Sequence, residues 1–331
     1  MTYKYNNVYV GGYSTVVGPY EKDGPLSKGF DKCYHNLYCG ESSWELSEVR
    51  LLTDSIDILL KKIGKDKNNI NLLISGDLLN QVTSSSYAAL KFDMPFFGIY
   101  SACASSVEGI ILGASLIDGG KIDNCIASTS SHNMSSEKQF RNPTEYGAPK
   151  PKTATFTSTG GASIYLNKEK GKIKIESSTI GKVVDMGQSD PFNMGAVMAA
   201  AAGDTIYEHL KTLKRSPNYY DLIITGDLGV YGKEILIDYM QKEYGLDISN
   251  NYNDAGTMLY DLSQQEEVMA GGSGPVCGAL VNYSKILPKL ENNELDRVLF
   301  VATGALFSPT FVYQHENINS IAHAISLEAV R

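Results

Sequence analysis

The sequence predicts an α/β protein built from two pseudo-twofold βαβαβ repeats, and three observations carry that prediction. An apolar run ending in Gly-Asp-Leu, NLLISGDL at 71–78, returns 150 residues later as DLIITGDL at 221–228. Farther on, Cys103 matches Cys277 and DNCIASTSS (123–131) matches RVLFVATGA (297–305), both at an offset of 174, so the second copy carries extra residues between its two matches. In each copy β-rich apolar runs alternate with helical stretches, the pattern of parallel βαβ units. No Gly-, Pro- or Ser-rich tether separates the copies; KEKGK at 168–172 reads as a hairpin-like turn, dividing the chain into residues 1–168, with Cys103, and 169–331.

The elements are taken in chain order. MTYKYNNVYVGGYSTVV at the N-terminus is polar and strand-like. A first long helix is expected from Ser42, where SSWE offers a capping box of Ser42 and Glu45, with Leu46, Val49, Leu52, Ile56, Leu59 and Ile63 on its buried face. After the first Gly-Asp-Leu strand, GIYSACASSVEGIILGASLIDGG (98–120) turns from an extended segment into a helix beside Cys103 and ends on Gly119, a natural C′ residue. This helix is small or apolar on nearly every side and belongs at the centre of a layered fold. In the second copy DPFNMGAVMAAAAGDTIYEHL starts a helix with Asp190 as N-cap and Pro191 at the first helical position. Asp77 and Asp227 recur because the repeat recurs, which favours capping of the next segment over metal binding.

Length and composition narrow the function. At 331 residues the chain exceeds the usual single-core size. Lysine and arginine number 29 against 37 aspartates and glutamates, a net charge of -8 that argues against nucleic acid and weakly repels anionic lipid. Five cysteines, Cys33, Cys39, Cys103, Cys125 and Cys277, are odd in number and lack ligand spacing, so neither a disulfide framework nor a zinc site is expected. There is no signal-peptide apolar region, and the longest small or apolar run, GAVMAAAAG, is far below a membrane span, so a soluble or peripheral protein is expected. AGGSGPVCG lacks the Walker lysine and a dinucleotide fingerprint is missing; the segment reads as a tight turn opposite Cys103.

At the helix N-terminus, free N–H groups and the dipole would make Cys103 a thiolate or an anion-binding group without any lysine. The residues alone leave that reading level with a small buried core cysteine.

The duplicated halves and the cysteine opening a buried helix resemble the thiolase superfamily, which implies a five-layered αβαβα fold. Longer stretches, GPLSKGFD, SSHNMSSEKQFRNPTEYG, DPFNMGAVMAAAAGDTI and VATGALFSPTFVYQHENINSIAHA, resemble the stage V sporulation protein AD family over essentially the whole chain. That resemblance implies binding of dipicolinic acid (pyridine-2,6-dicarboxylate) and help in moving it, with calcium, into the developing spore. It further implies membrane partners encoded in the same operon, a place at the forespore or spore inner membrane, no resident cofactor, and calcium only as part of the ligand complex. A homodimer is left open.

Against the superfamily pattern, the thiolase-type Gly-His-Pro turn corresponds to SGPVCG, where Pro275 matches but Gly274 replaces the histidine. The synthase-type histidine falls near Gly226, and the second thiolase cysteine near Ala302 or Thr303. A condensing enzyme needs a base facing its thiolate and donors for the oxyanion. Condensation or acyl transfer through Cys103 therefore stays the alternative to ligand binding, and an assembly subunit with a vestigial pocket stands third.

The implied ligand set is Cys103, His132, Arg141, Gly274 and Thr303. His132 reads either as a donor to a ligand carboxylate or as a loop histidine bonded to backbone. Arg141 reads either as a bidentate partner of a carboxylate or as an ion pair with Glu137 or Glu145. His35, His209, His315 and His323 read as structural or surface residues, with His209 solvated on an amphipathic helix.

Overall fold

A computed structural model describes residues 1–140 and 150–331. The first half holds β1 (Thr2–Lys4), β2 (Tyr9–Val17), α1 (Pro19–Lys22), β3 (Lys32–Cys33), α2 (Trp44–Ile63), β4 (Leu73–Gly76), α3 (Thr83–Phe92), β5 (Phe96–Gly98), α4 (Ser105–Asp118), β6 (Asn124–Ser131), α5 (Asn133–Phe140), β7 (Phe156–Thr157) and β8 (Gly160–Asn167). The second holds β9 (Ile173–Ile180), α6 (Met194–Leu213), β10 (Leu222–Thr225), α7 (Gly229–Tyr244), β11 (Tyr252–Asp254), β12 (Gly272–Ser273), α8 (Pro275–Val281), α9 (Leu287–Glu291), β13 (Arg297–Leu306), α10 (Pro309–Tyr313) and β14 (Asn319–Ala329).

The strands run β11-β10-β13-β14-β9-β2-β8-β6-β4-β5 across one sheet. Read outward from the β2/β9 junction, the two halves have the same order: β2-β8-β6-β4-β5 mirrors β9-β14-β13-β10-β11. The pairing directions match as well. Strands β5, β4 and β6 are parallel, as are β11, β10 and β13, while β8 and β14 run antiparallel to their neighbours on both sides. The parallel βαβ units are thus joined into one mixed sheet by antiparallel central strands, with β2 lying between β8 and β9 and pairing antiparallel with each.

Helices α4 and α8 pack between the two half-sheets, α2 and α3 cover the first from outside, and α6 and α7 cover the second. That is five layers, αβαβα. The central layer supplies Val107, Ile110, Ile111 and Ala114 from α4 and Val276, Ala279 and Leu280 from α8 to the largest core cluster.

Local chemistry shifts several boundaries. The cap of α2 is Ser43, whose Oγ accepts from Leu46 N–H at 3.2 Å, so Ser42 stays outside. Its buried face is also rotated: Leu46 is 42% exposed, whereas Ser47, Glu48, Leu51 and Ser55 are buried beside Leu52, Ile56 and Leu59. At the end of α4 it is Gly120, at φ 64°, that takes the left-handed turn, while Gly119 stays at φ −76°. Helix α6 begins at Met194 with Asn193 as cap, leaving Asp190 and Pro191 in the preceding turn. Its small residues let it meet α7 closely; a Cβ on Gly195 would lie 2.3 Å from the Leu228 carbonyl and 3.0 Å from Gly232 Cα. His209 is fully buried, between Thr179 Oγ1 (2.8 Å) and Tyr220 OH (2.7 Å), the reverse of the solvated position expected, because α6 lays that face on β9 and β14.

Candidate functional site

The site lies beyond the carboxyl ends of the strands, where open α/β sheets collect their ligand-binding loops. Leu78 follows β4; Tyr100, Ala102 and Cys103 follow β5; Ser136, Glu137 and Phe140 come from α5 after β6; Asp227 follows β10; Ser273 and Gly274 close β12; Ala305 and Phe307 end β13. With Thr157, Met194 and Met198 these residues line a pocket of about 530 Å3, counting its mouth. An adjoining groove of about 1150 Å3 shares Leu78, Tyr100, Phe140 and Phe307 and leads outward past Gln81, Val82 and Pro309.

Cys103 stands two residues ahead of α4, on a turn in which Ala102 adopts φ 49°. Ser105 pins that turn: its Oγ accepts from Ser101 N–H at 3.0 Å and donates to the Ala102 carbonyl at 2.8 Å. Strained backbone of this kind persists only where the surroundings over-determine it. Cys277, the residue matched to Cys103 by the repeat, lies inside α8 and is wholly buried, because α8 begins at Pro275, just ahead of it.

The group facing Cys103 is Asp227. The thiol and the carboxylate line the same pocket and act on each other electrostatically. Thr303 Oγ1 donates to Asp227 Oδ1 at 2.6 Å and Gly274 N–H donates to Oδ2 at 3.0 Å. Burial, reinforced by Asp254, outweighs these donors and lifts Asp227 to about 7. Burial and the Asp227 charge in turn push the Cys103 thiol well above its ordinary range. This corrects the expected electropositive site: the helix N-terminus is outweighed, and Cys103 is held as a thiol.

Asp227 was expected to cap. Asp77, its counterpart, does so, accepting from Leu79 N–H (2.9 Å) and Ser85 N–H (2.8 Å). In the second half that work is done by Asp254, which accepts from Leu228 N–H (2.9 Å), Gly229 N–H (2.9 Å) and Thr225 Oγ1 (2.7 Å). Asp227 is thereby freed to line the pocket.

Of the other expected residues, Gly274 and Thr303 meet at Asp227, and Gly274 lines the pocket wall. Gly274 has φ 97° and ψ 160°, a region that side chains avoid, and a Cβ there would lie 2.8 Å from Ser131 Oγ. A histidine has no room at this position. His132 is fully buried away from the pocket; its Nε2–H donates to the Leu37 carbonyl at 2.8 Å and its Nδ1 accepts from Met134 N–H at 3.2 Å. Burial holds it down to about 4, so it is the backbone-bonded histidine of the two readings. Arg141 and Glu145 lie outside the described residues.

Sequence reasoning missed Ser136 and the pair of Glu137 with Lys150. Ser136 Oγ is buried at the pocket with no hydrogen-bond partner, and Lys150 Nζ lies 2.9 Å from Glu137 Oε2. Both fall in SSHNMSSEKQ and its sequel, where His132 and Arg141 had drawn notice and Glu137 only as an ion-pair partner for Arg141. It also missed a second buried acid pair behind the wall, Glu48 with Asp77. Glu48 accepts from Ser130 Oγ (3.1 Å) and Ser135 Oγ (2.8 Å), and burial with the Asp77 charge raises it to about 8. Among the described residues no cluster of three or more His, Cys, Asp or Glu is arranged to hold a metal ion.

A family model described as stage V sporulation protein AD matches residues 2–328. The stage V sporulation protein AD of Bacillus subtilis (strain 168) is 45% identical over 321 residues, 97% of this chain and 94% of that protein. Among solved structures, a variant of Xanthomonas campestris OleA superposes with a TM-score of 0.62 at 14% identity, covering 98% of this chain and 99% of that one. The 3-oxoacyl-[acyl-carrier-protein] synthase III of Aquifex aeolicus VF5 superposes at 0.58 and 10% identity, covering 97% and 99%. These likenesses show a thiolase-like fold.

Proposed function

The chain belongs to the stage V sporulation protein AD family on a thiolase-like scaffold, and from that premise we propose that it binds dipicolinate, chiefly as the calcium complex, for delivery into the developing spore. The observation that carries this reading against acyl condensation is the pairing of Cys103 with a carboxylate. A thiolate nucleophile is stabilised by a neighbouring cation. Here its partner is Asp227, and no imidazole stands among the described lining residues. Burial and the adjacent Asp227 charge both hold the proton on sulfur, so the carboxylate does not draw out a thiolate and Cys103 stays a thiol.

Donors for a dicarboxylate remain: the unpartnered Ser136 hydroxyl and the Gly274 and Thr303 groups around Asp227. Calcium carried by the ligand would face Asp227 and Glu137, a hard cation meeting oxygen ligands. No helix among the described residues is long and apolar enough to cross a membrane, so the transmembrane step falls in this reading to partner proteins at the forespore inner membrane.

Calorimetric titration with dipicolinate, with and without calcium, tests the proposal. Binding is expected, tighter with calcium, weakened modestly by Cys103→Ala and abolished by Cys103→Trp, whose ring would fill the pocket base. Unchanged binding in folded Cys103→Trp puts the ligand elsewhere. Turnover of acyl thioesters through an adduct on Cys103 establishes the acyl-transfer alternative instead.

A further inference from the structure

The pocket places an acid, not a base, where its ligand must end. Asp227 is almost wholly enclosed, lines the pocket, and accepts two hydrogen bonds, from the Thr303 hydroxyl and the Gly274 amide, with the Cys103 thiol beside it on the same lining; none of these groups is charged. The elements packed around it bring further negative or neutral groups. Asp254, at the end of β11, is committed to the first amides of α7; Cys277, on α8, is a buried thiol; and Glu137, across the pocket on α5, is already paired with Lys150. Among the described residues, no lysine, arginine or histidine contacts Asp227.

We propose that Asp227 is the specificity-determining residue of the pocket: it makes the site select the charge-compensated form of a dicarboxylate, one that arrives with a proton or a divalent cation, and reject the free dianion. The proposal rests on the dipicolinate reading and adds the state in which the ligand is taken. An ionised Asp227 repels a second carboxylate across a water-poor pocket, where the repulsion is poorly screened. A protonated Asp227 instead offers the ligand a neutral neighbour, and a calcium ion turns the same carboxylate into a ligand. Because Asp227 titrates near 7, uptake of the metal-free ligand should carry one proton through the neutral range.

Two arms separate this inference from the identity of the ligand. The first is a dipicolinate titration from about pH 6 to about pH 9. Without calcium, Kd should weaken about tenfold per pH unit above Asp227's value, and with saturating calcium the slope should vanish or reverse. Asp227→Asn should flatten the calcium-free slope while binding persists, because its amide N can donate to the Thr303 hydroxyl while its Oδ1 keeps the Gly274 N–H. The second arm uses no ligand: Cys103 is alkylated with neutral iodoacetamide or anionic iodoacetate and quantified by peptide mass mapping. The parent should disfavour iodoacetate, increasingly as pH rises, and Asp227→Asn should remove at least a few-fold of that preference.

The inference is overturned by a calcium-free Kd that does not move with pH, by the same slope in Asp227→Asn, or by equal handling of both reagents in parent and variant. A pH-independent Kd that is lost in Arg141→Gln would assign the compensating charge to Arg141 instead. If the alkylation arm behaves as expected while dipicolinate fails to bind at any pH with or without calcium, the charge selection stands and the named ligand falls.

Discussion

Gly274→Ala tests whether the pocket wall is built for glycine. At φ 97° and ψ 160° the residue occupies a region that is open essentially only to glycine, and forcing a side chain there costs about 1–3 kcal/mol. The new Cβ would sit 2.8 Å from Ser131 Oγ, 3.2 Å from Thr157 Cγ2 and 3.4 Å from Ser131 Cβ. Ser131 Oγ donates to the Ser158 carbonyl at 2.7 Å, so moving it aside forfeits a buried hydrogen bond worth about 1 kcal/mol. The sum is about 2–4 kcal/mol of lost stability, read as a lower urea midpoint at unchanged slope. Adding Ser131→Ala removes that hydrogen bond in advance and relieves the clash, so the double variant should be more stable than the two single losses predict by about 1 kcal/mol. A Gly274→Ala protein within about 0.5 kcal/mol of the parent, or strictly additive losses, would refute the reasoning. It would also reopen the position to the histidine that thiolase-type enzymes carry there.

Two further predictions concern pH. Glu48, raised from 4.5 to about 8, keeps its proton in the fold while the unfolded chain has lost it, so its contribution is full below about 4.5 and is lost as pH rises to about 8. Glu48→Gln should therefore flatten the alkaline limb of a melting-temperature profile, with the parent losing up to about 1.4 kcal/mol per pH unit in that window; an unchanged limb counts against the buried acid pair. His209 moves the opposite way: burial lowers it to about 3, so the unfolded chain takes up a proton near 6.5 that the fold refuses, and stability present above 6.5 is lost as pH falls. His209→Gln, which can still bridge Thr179 and Tyr220, should shift acid unfolding to lower pH, and urea midpoints measured at about pH 7 and about pH 4.5 would show whether it does.

The architecture was legible because a repeat is a long-range signal written locally. The Gly-Asp-Leu runs at 71–78 and 221–228 fall on β4 and β10 and the turns after them, and the later matches fall on β6 and β13. Helix faces and caps were less so. Ser42 and Ser43 are chemically equivalent, and only the chain's path decides that Ser43 accepts from Leu46. Glu48 drew no notice, because burial of a carboxylate depends on Ser130 and Ser135, which arrive from β6 and α5. His209 was misread for a similar reason: its partners, Thr179 and Tyr220, stand on β9 and just before β10.

The site departs from the repeat at one substitution of duty, and this explains why Asp227 escaped the sequence. A pseudo-twofold chain offers two Gly-Asp-Leu turns, each with an aspartate able to cap the adjoining helix. In the first half both oxygens of Asp77 are spent on the Leu79 and Ser85 amides. In the second half β11 ends on Asp254, parallel to β10 and one strand away, and its oxygens reach the Leu228 and Gly229 amides first. Asp227 then turns inward, where β13 brings Thr303, the β12 turn brings Gly274, and the strained turn before α4 brings Cys103. The central layer of a duplicated fold thus gains an asymmetric pocket because a cap changed hands. On that reasoning Asp254→Asn should do more than loosen α7: an amide donor cannot accept from both Leu228 and Gly229, and Asp227 would be drawn back toward the capping role that Asp77 keeps. Cys103 alkylation should then quicken as its acidic neighbour withdraws, and an unchanged rate in a folded Asp254→Asn protein would show that the two aspartates act independently.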